Sequence, residues 1–210
     1  MKKNFYFLKN RFRKFYPVII DIETTGLNHT IHSILEIAVI TLTMNNNGFL
    51  KIKNIIHFHI KPFTESYLTK KALIFNKIDP FNILRQPIQE KQALQYIFDI
   101  IKKEIKHHEC SKSVIVAHNA TFDHKFIIQI SQRNKIKHPF HPFVIFDTAT
   151  LSGLILGQTV LSKACQSIGI KFNNKKAHSA IYDAKKTAYL FCKLSNNYKK
   201  YNVKNNITNI

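Results

Sequence analysis

Tryptophan is absent from this chain of 210 residues, and glycine (5), proline (6), cysteine (3) and acidic side chains (12) are all scarce. The three cysteines, Cys110, Cys165 and Cys192, are odd in number, far apart and without CxxC spacing. Neither a disulfide framework nor a thiolate zinc site is supported. Long apolar runs are missing too. The first stretch, MKKNFYFLKNRFRKFYPVII, is basic, but charges interrupt every apolar segment before Pro17. It holds no signal-peptide core, and no segment is long enough to span a bilayer. The cytoplasm is the expected location. No repeat or linker divides the chain, so residues 1–195 read as one domain. Residues 196–210, rich in Asn and Lys, read as a polar, frayed tail.

What is abundant narrows the class. A hydrophobic content of 45% and an aromatic content of 12% exclude global disorder. Lysine and arginine number 32 against 12 acids, a formal charge of +20 that suits a polyanionic partner. Only Arg11, Arg13, Arg85 and Arg133 are arginine, however, and the chain is crowded with Asn, Ile and Lys. Part of that charge is composition bias, so charge alone does not establish nucleic-acid binding.

Val18–Glu23 reads as a buried strand closed by the turn Thr24-Thr25-Gly26. Leu35–Thr43 and Leu50–Phe58 alternate around Asn45-Asn46-Asn47-Gly48, a hairpin signal that makes the first three strands antiparallel. A short helix is expected over Leu68–Asn76 and a longer amphipathic one over Lys91–Lys106. Strands at Val114–His118 and Phe143–Phe146 then alternate with helices at Phe122–Arg133, Thr148–Ile155, Val160–Ile168 and Ser179–Leu194. The order predicts an α/β fold of the ribonuclease H-like type, a mixed five-stranded sheet flanked by helices.

Asp21 and Glu23, one residue apart on a strand, share a face. A buried apolar run rarely ends in two same-face acids without compensation. Asp123 follows the second buried run, and Asp183 comes five residues after His178. Asp123 alone is explained as a helix N-terminal acid, and His178 alone as a surface or core histidine. Four carboxylates meeting at one point repel unless divalent cations neutralise them, and oxygen-only ligands suit Mg²⁺ or Mn²⁺. A histidine beside them can take a proton from an attacking water. The set therefore predicts two-metal phosphodiester hydrolysis. On one continuous helix His178 and Asp183 point roughly 140° apart. They converge only if His178 precedes the helix, with Ser179 as N-cap.

The ordered set Asp-x-Glu, Asp, His-x₄-Asp resembles the DEDD exonuclease superfamily in its histidine-containing branch. RFRKFYPVIIDIETTGLN, LEIAVITL, HFHIKPF, ALIFNKIDP, AHNATFDHKF, FHPFVIFDTATLSGLILGQTVLSKACQ and AHSAIYDA are similar to the ribonuclease T family, over about Arg11 to Leu194. The resemblance implies a homodimeric 3′→5′ exoribonuclease. Such an enzyme trims single-stranded 3′ tails of tRNA and other stable RNA precursors, turns over the tRNA 3′ end and can act on single-stranded DNA. It also implies that Asp21, Glu23, Asp123 and Asp183 bind two Mg²⁺ ions, with Mn²⁺ as the alternative, and that His178 at that metal site is the general base. Phe75, Phe122 and Phe143 match aromatic residues that stack on the terminal bases. The fourth such position holds Leu27, and a base-contacting glutamate is replaced by Lys71. Arg11, Arg13, Lys106 and Lys112 match a basic patch that grips the RNA stem and feeds the partner's active site. A DNA proofreading exonuclease with the same metal site is the alternative reading.

Overall fold

The computed structural model describes residues 7–204, with side chains through residue 198. A short helix, α1 (Leu8–Arg11), leads into three long strands, β1 (Phe15–Thr24), β2 (Ile34–Met44) and β3 (Leu50–His59). Helices α2 (Lys70–Asn76) and α3 (Glu90–His107) follow, then β4 (Lys112–Ala117), α4 (Thr121–Arg133) and β5 (Phe140–Asp147). The chain closes with α5 (Thr148–Leu156), α6 (Leu161–Ser167) and α7 (Ala180–Lys204). The sheet order is β3-β2-β1-β4-β5. The first three strands are antiparallel, whereas β1, β4 and β5 run parallel. This is the mixed five-stranded, helix-flanked sheet that the sequence predicts.

β1 sits at the centre, and Tyr16 to Ile20 are fully or almost fully buried along it. Alternation sends Tyr16, Val18, Ile20 and Ile22 to one face and Ile19, Asp21 and Glu23 to the other. Tyr16 meets the end of α3, its ring stacked on His108 at 5.5 Å. Its hydroxyl donates to the Leu42 carbonyl and accepts the Leu42 amide, where the β2–β3 register shifts. The bulge thus leaves no orphaned backbone group at Leu42. On the opposite face Ala180, Ala184 and Ala188 of α7 are fully buried. Small side chains at this helical spacing let α7 lie close over β1, β2 and β3.

Two boundaries depart from the sequence reading. α7 continues to Lys204, so residues 196–204, expected as frayed tail, are helical, while 205–210 lie outside the described residues. Asn196 shows why. Its side-chain amide accepts from the Leu50 amide at 2.8 Å and donates to the Leu50 carbonyl at 3.0 Å, docking the helix on the start of β3. β5 also begins earlier than the apolar run suggests, at Phe140, which pairs with Ser113. Among the described residues all three cysteines are free thiols, with Cys165 and Cys192 buried.

Candidate active site

The apolar run of β1 ends at Asp21 and Glu23, both on the α7 face. Just beyond, Gly26 is required by space: an added Cβ would meet the His32 ring at 2.2 Å. α7 supplies Asp183 from its first turn, and ligand oxygens of Asp21, Glu23 and Asp183 lie within 4.8 Å of one another. Burial, reinforced by the neighbouring carboxylates, holds Asp21 well above the usual carboxylate range. The same causes push Glu23 up to about 8. Asp183 is raised by burial against the opposing effect of the His178 amide. Asp123 enters from the first turn of α4, almost fully buried. Burial lifts it to about 8, against the opposing effect of nearby backbone amides, that of Ile22 in β1 among them.

The donor set fits a divalent cation. Asp183 Oδ2 accepts the His178 amide at 2.8 Å, whereas its Oδ1 is buried without a hydrogen-bond partner. A buried carboxylate oxygen left orphaned among other carboxylates is a ligand position for a hard ion.

His178 lies just before α7, which starts at Ala180. The Ser179 carbonyl accepts the amides of Tyr182 and Asp183, placing Ser179 at the helix boundary. His178 has a left-handed backbone, φ 64°, a conformation costing about 1–3 kcal/mol in a non-glycine residue. The bond to Asp183 holds it there. Its ring is exposed and rests 4.0 Å from that of Phe75. Phe75 is positioned by the next residue, since Asn76 Nδ2 donates to the Thr24 carbonyl at 3.0 Å, tying α2 to the end of β1.

One group escapes the sequence reading. Glu36 pairs directly with Glu23 across β1–β2 and with His59 across β2–β3. Directly opposed residues share a face, so Glu36, His57 and His59 stand beside the carboxylate cluster. Glu36 lies 3.1 Å from His59 Nδ1, 3.7 Å from His57 Nε2 and 4.0 Å from Arg85 Nη2. Burial alone would raise its pKa. Hydrogen bonding and charge from His57, with His59 and the Ala180 amide, bring it below the ordinary value instead. Glu36 accepts the Ala180 amide at 3.3 Å, so a neutralised carboxylate ties the start of α7, and with it Asp183, to the sheet. The available signal was the spacing of His57 and His59, same-face positions in HFH.

The expected stacking positions are distributed unevenly. Leu27 is 84%, Phe143 87% and Phe75 59% exposed, so all three are accessible to a substrate, although Leu84 and Leu154, both 85%, are just as exposed without a role assigned to them. Phe122 is half-buried and leans on Phe126 at 5.0 Å. Of the expected basic patch, Arg13, Lys106 and Lys112 are exposed, whereas Arg11 is half-buried and its guanidinium donates to the Ser195 carbonyl. Lys112 pairs with Phe15 at the start of β1. Asp21 lies about 20 Å further along that strand, at ~3.3 Å per residue.

A profile of the RNase_T exonuclease family matches residues 18–191. Ribonuclease T of Wigglesworthia glossinidia brevipalpis is 58% identical over 195 residues, covering 92% of this chain and 91% of that protein. The chain belongs to the ribonuclease T family. Family members are hydrolytic nucleases of the DEDD superfamily, whose chemistry implies divalent metal ions. The fold is shared more widely. The nuclease domain of 3′hExo, a DEDDh member solved with rAMP, aligns with a TM-score of 0.67 at 19% identity, covering 87% of this chain and 92% of that one. Escherichia coli exonuclease I, solved with a dT13 oligonucleotide, aligns with a TM-score of 0.68 at 17% identity, covering 89% of this chain and 42% of that one. Membership in this exonuclease family makes nucleic acid the substrate. Among the described residues no helix is long and apolar enough to cross a membrane.

Proposed function

We propose that this chain removes nucleotides one at a time from single-stranded 3′ ends of tRNA and other stable RNA precursors. On this reading it also turns over the tRNA 3′ end and releases nucleoside 5′-monophosphates. The observation that carries the reading is the meeting of Asp21, Glu23 and Asp183 within 4.8 Å beside the exposed His178.

Asp21, Glu23, Asp123 and Asp183 would hold two Mg²⁺ ions. Bound there, the ions supply charge neutralisation and polarisation of the scissile phosphoryl oxygen. His178 takes the proton of the attacking water, and its place on a loop outside the helix leaves room for a nucleotide to enter. Phe75, beside His178, offers a face to the terminal base, with Phe143, Phe122 and Leu27 as further contacts. A stacked base is worth ~1–3 kcal/mol, enough to hold a short unpaired end.

Arg13, Lys106 and Lys112, with Arg11 behind them, sit at the opposite end of β1 from the carboxylates. A 3′ tail shorter than about 20 Å cannot reach the carboxylates while its stem rests on the same subunit's patch. That separation supports a homodimer in which the patch of one subunit serves the active site of the other. Single-stranded DNA is the second substrate, a reading supported by the shared fold of exonuclease I, which was solved with a dT13 oligonucleotide.

The test is digestion of tRNA precursors differing only in their 3′ extension, with products resolved at one nucleotide and a mispaired DNA primer run alongside. Stepwise, Mg²⁺-dependent shortening of the RNA tail that stops at the stem is expected. Faster attack on the primer terminus would move the assignment to DNA proofreading.

A further inference from the structure

Beyond His178 lies a cavity of about 400 Å³, lined in part by Lys77, Lys175, Lys176, His178, Tyr182 and Lys185. Its four lysines come from three separate segments. Lys77 follows α2 with a left-handed backbone, φ 59°. Lys175 and Lys176 belong to the 3-10 turn before His178, and Lys185 to the second turn of α7.

Among the described residues none of the four pairs with a carboxylate. Among the described residues, lysine–carboxylate pairs occur elsewhere, at Lys9–Glu109, Lys53–Glu104 and Lys102–Asp99. The neighbouring Lys186 is turned aside, its Nζ donating to the Lys171 carbonyl and lying 5.1 Å from the Tyr182 ring centroid. Uncompensated like charges around a concave surface focus a positive potential inside it. The volume falls within the range of small-molecule sites, ~300–1,000 Å³, so the space accommodates a nucleotide as well as a simple ion.

We propose that this pocket is a phosphate-monoester subsite that receives the nucleoside 5′-monophosphate after cleavage. The inference rests on the hydrolytic reading above. Hydrolysis converts a diester with one negative charge into a monoester carrying about −1.5 to −2 at neutral pH. That product forms among carboxylates, while His178 is shared between the carboxylate site and the lysine-lined cavity. Lysine acts as a point charge rather than a shaped fork, so the pocket discriminates by charge and draws the dianion over the diester.

The test uses the full chain with Mg²⁺ and a dinucleotide substrate. Added adenosine 5′-monophosphate or inorganic phosphate serves as inhibitor, each variant being referred to its own uninhibited rate. In Lys175→Ala/Lys176→Ala the inhibition constants for both should rise ~10-fold or more. Lys77→Gly, which removes a charge where the backbone already suits glycine, should give a smaller rise in the same direction and guards against misfolding of the double variant. Lys51→Ala/Lys91→Ala, exposed lysines away from the cavity, should leave the constants unchanged. Unaltered inhibition in the pocket variants would overturn the proposal, as would an equal rise in the remote control. A raised KM for a longer single strand with unaltered inhibition would assign the pocket to backbone diesters and overturn it too. Absence of any hydrolysis by the wild type would refute the catalytic reading itself, an outcome distinct from all of these.

Discussion

Removing divalent cations and raising the pH from 5 to 8 should destabilise the carboxylate cluster, and the size of the effect follows from its geometry. At the 4.8 Å separation that bounds the Asp21, Glu23 and Asp183 oxygens, two full charges repel by about 3.5 kcal/mol at an effective dielectric of ~20. Three such pairs approach ~10 kcal/mol, comparable with the whole stability of a domain. Without metal the folded chain therefore retains protons. Glu23 moves from an ordinary 4.5 to about 8. A carboxylate raised on folding binds more protons folded than unfolded between those values, so stability falls as pH rises through that window. One shared proton held from pH 5 to 8 corresponds to about 4 kcal/mol, or roughly 8–16 °C in melting temperature for a chain of this size. His59, His108, His118, His124 and His138 are lowered by burial. They act in the opposite sense, gaining stability as pH rises. The quantity to read is thus the difference between Asp21→Asn and the wild type, melted in EDTA across the pH series. Asp21→Asn should melt higher at pH 8, with the gap shrinking toward pH 5 and closing when Mg²⁺ is restored to the wild type. A gap that does not widen with pH would refute the argument.

His178→Ala should lower turnover ~10²–10⁴-fold while RNA binding and melting temperature stay near wild type; loss of fold or of binding in proportion to rate would mark His178 as structural. Glu36→Ala removes the acceptor of the Ala180 amide and should cost ~10–100-fold in activity or metal affinity. Glu36→Gln, which keeps an oxygen there, should retain more of both in a Mg²⁺ titration, and equal losses would count against the tether. Leu27→Phe should tighten short single strands by less than the full stacking value of ~1–3 kcal/mol per base, measured as Kd in Ca²⁺, and should alter the ranking of terminal bases. Unchanged affinity and base ranking would place residue 27 outside the substrate's reach. Neutralising Arg13, Lys106 and Lys112 together should flatten the salt dependence of tRNA binding and spare cleavage of a dinucleotide, whereas equal damage to both would assign those side chains to the fold or the dimer.

Local chemistry in the sequence was enough to single out most of the residues that the fold gathers at the candidate site. Asp21 and Glu23 share a face because a strand has period two, and His178 must leave the helix because five helical residues turn its side chain away from Asp183. The alternation around Asn45–Gly48 likewise revealed the antiparallel hairpin, and Gly26 marked a turn. What tertiary structure alone decided involves partners distant in the chain. Glu36 meets His57, His59 and Arg85 only because β2 lies between β1 and β3 in one register, and a shift of one residue would send it to the other face. The last turns of α7 carry too few apolar residues to declare a helix, and Asn196 holds them through backbone groups of Leu50 that no pattern discloses. The basic charge was plain in the composition, but its division was not. Arg13, Lys106 and Lys112 gather at one end of β1, whereas Lys77, Lys175, Lys176 and Lys185 line a cavity beside His178. Composition sums charge without regard to place, and only the packed chain brings segments about a hundred residues apart around the same few ångströms of space.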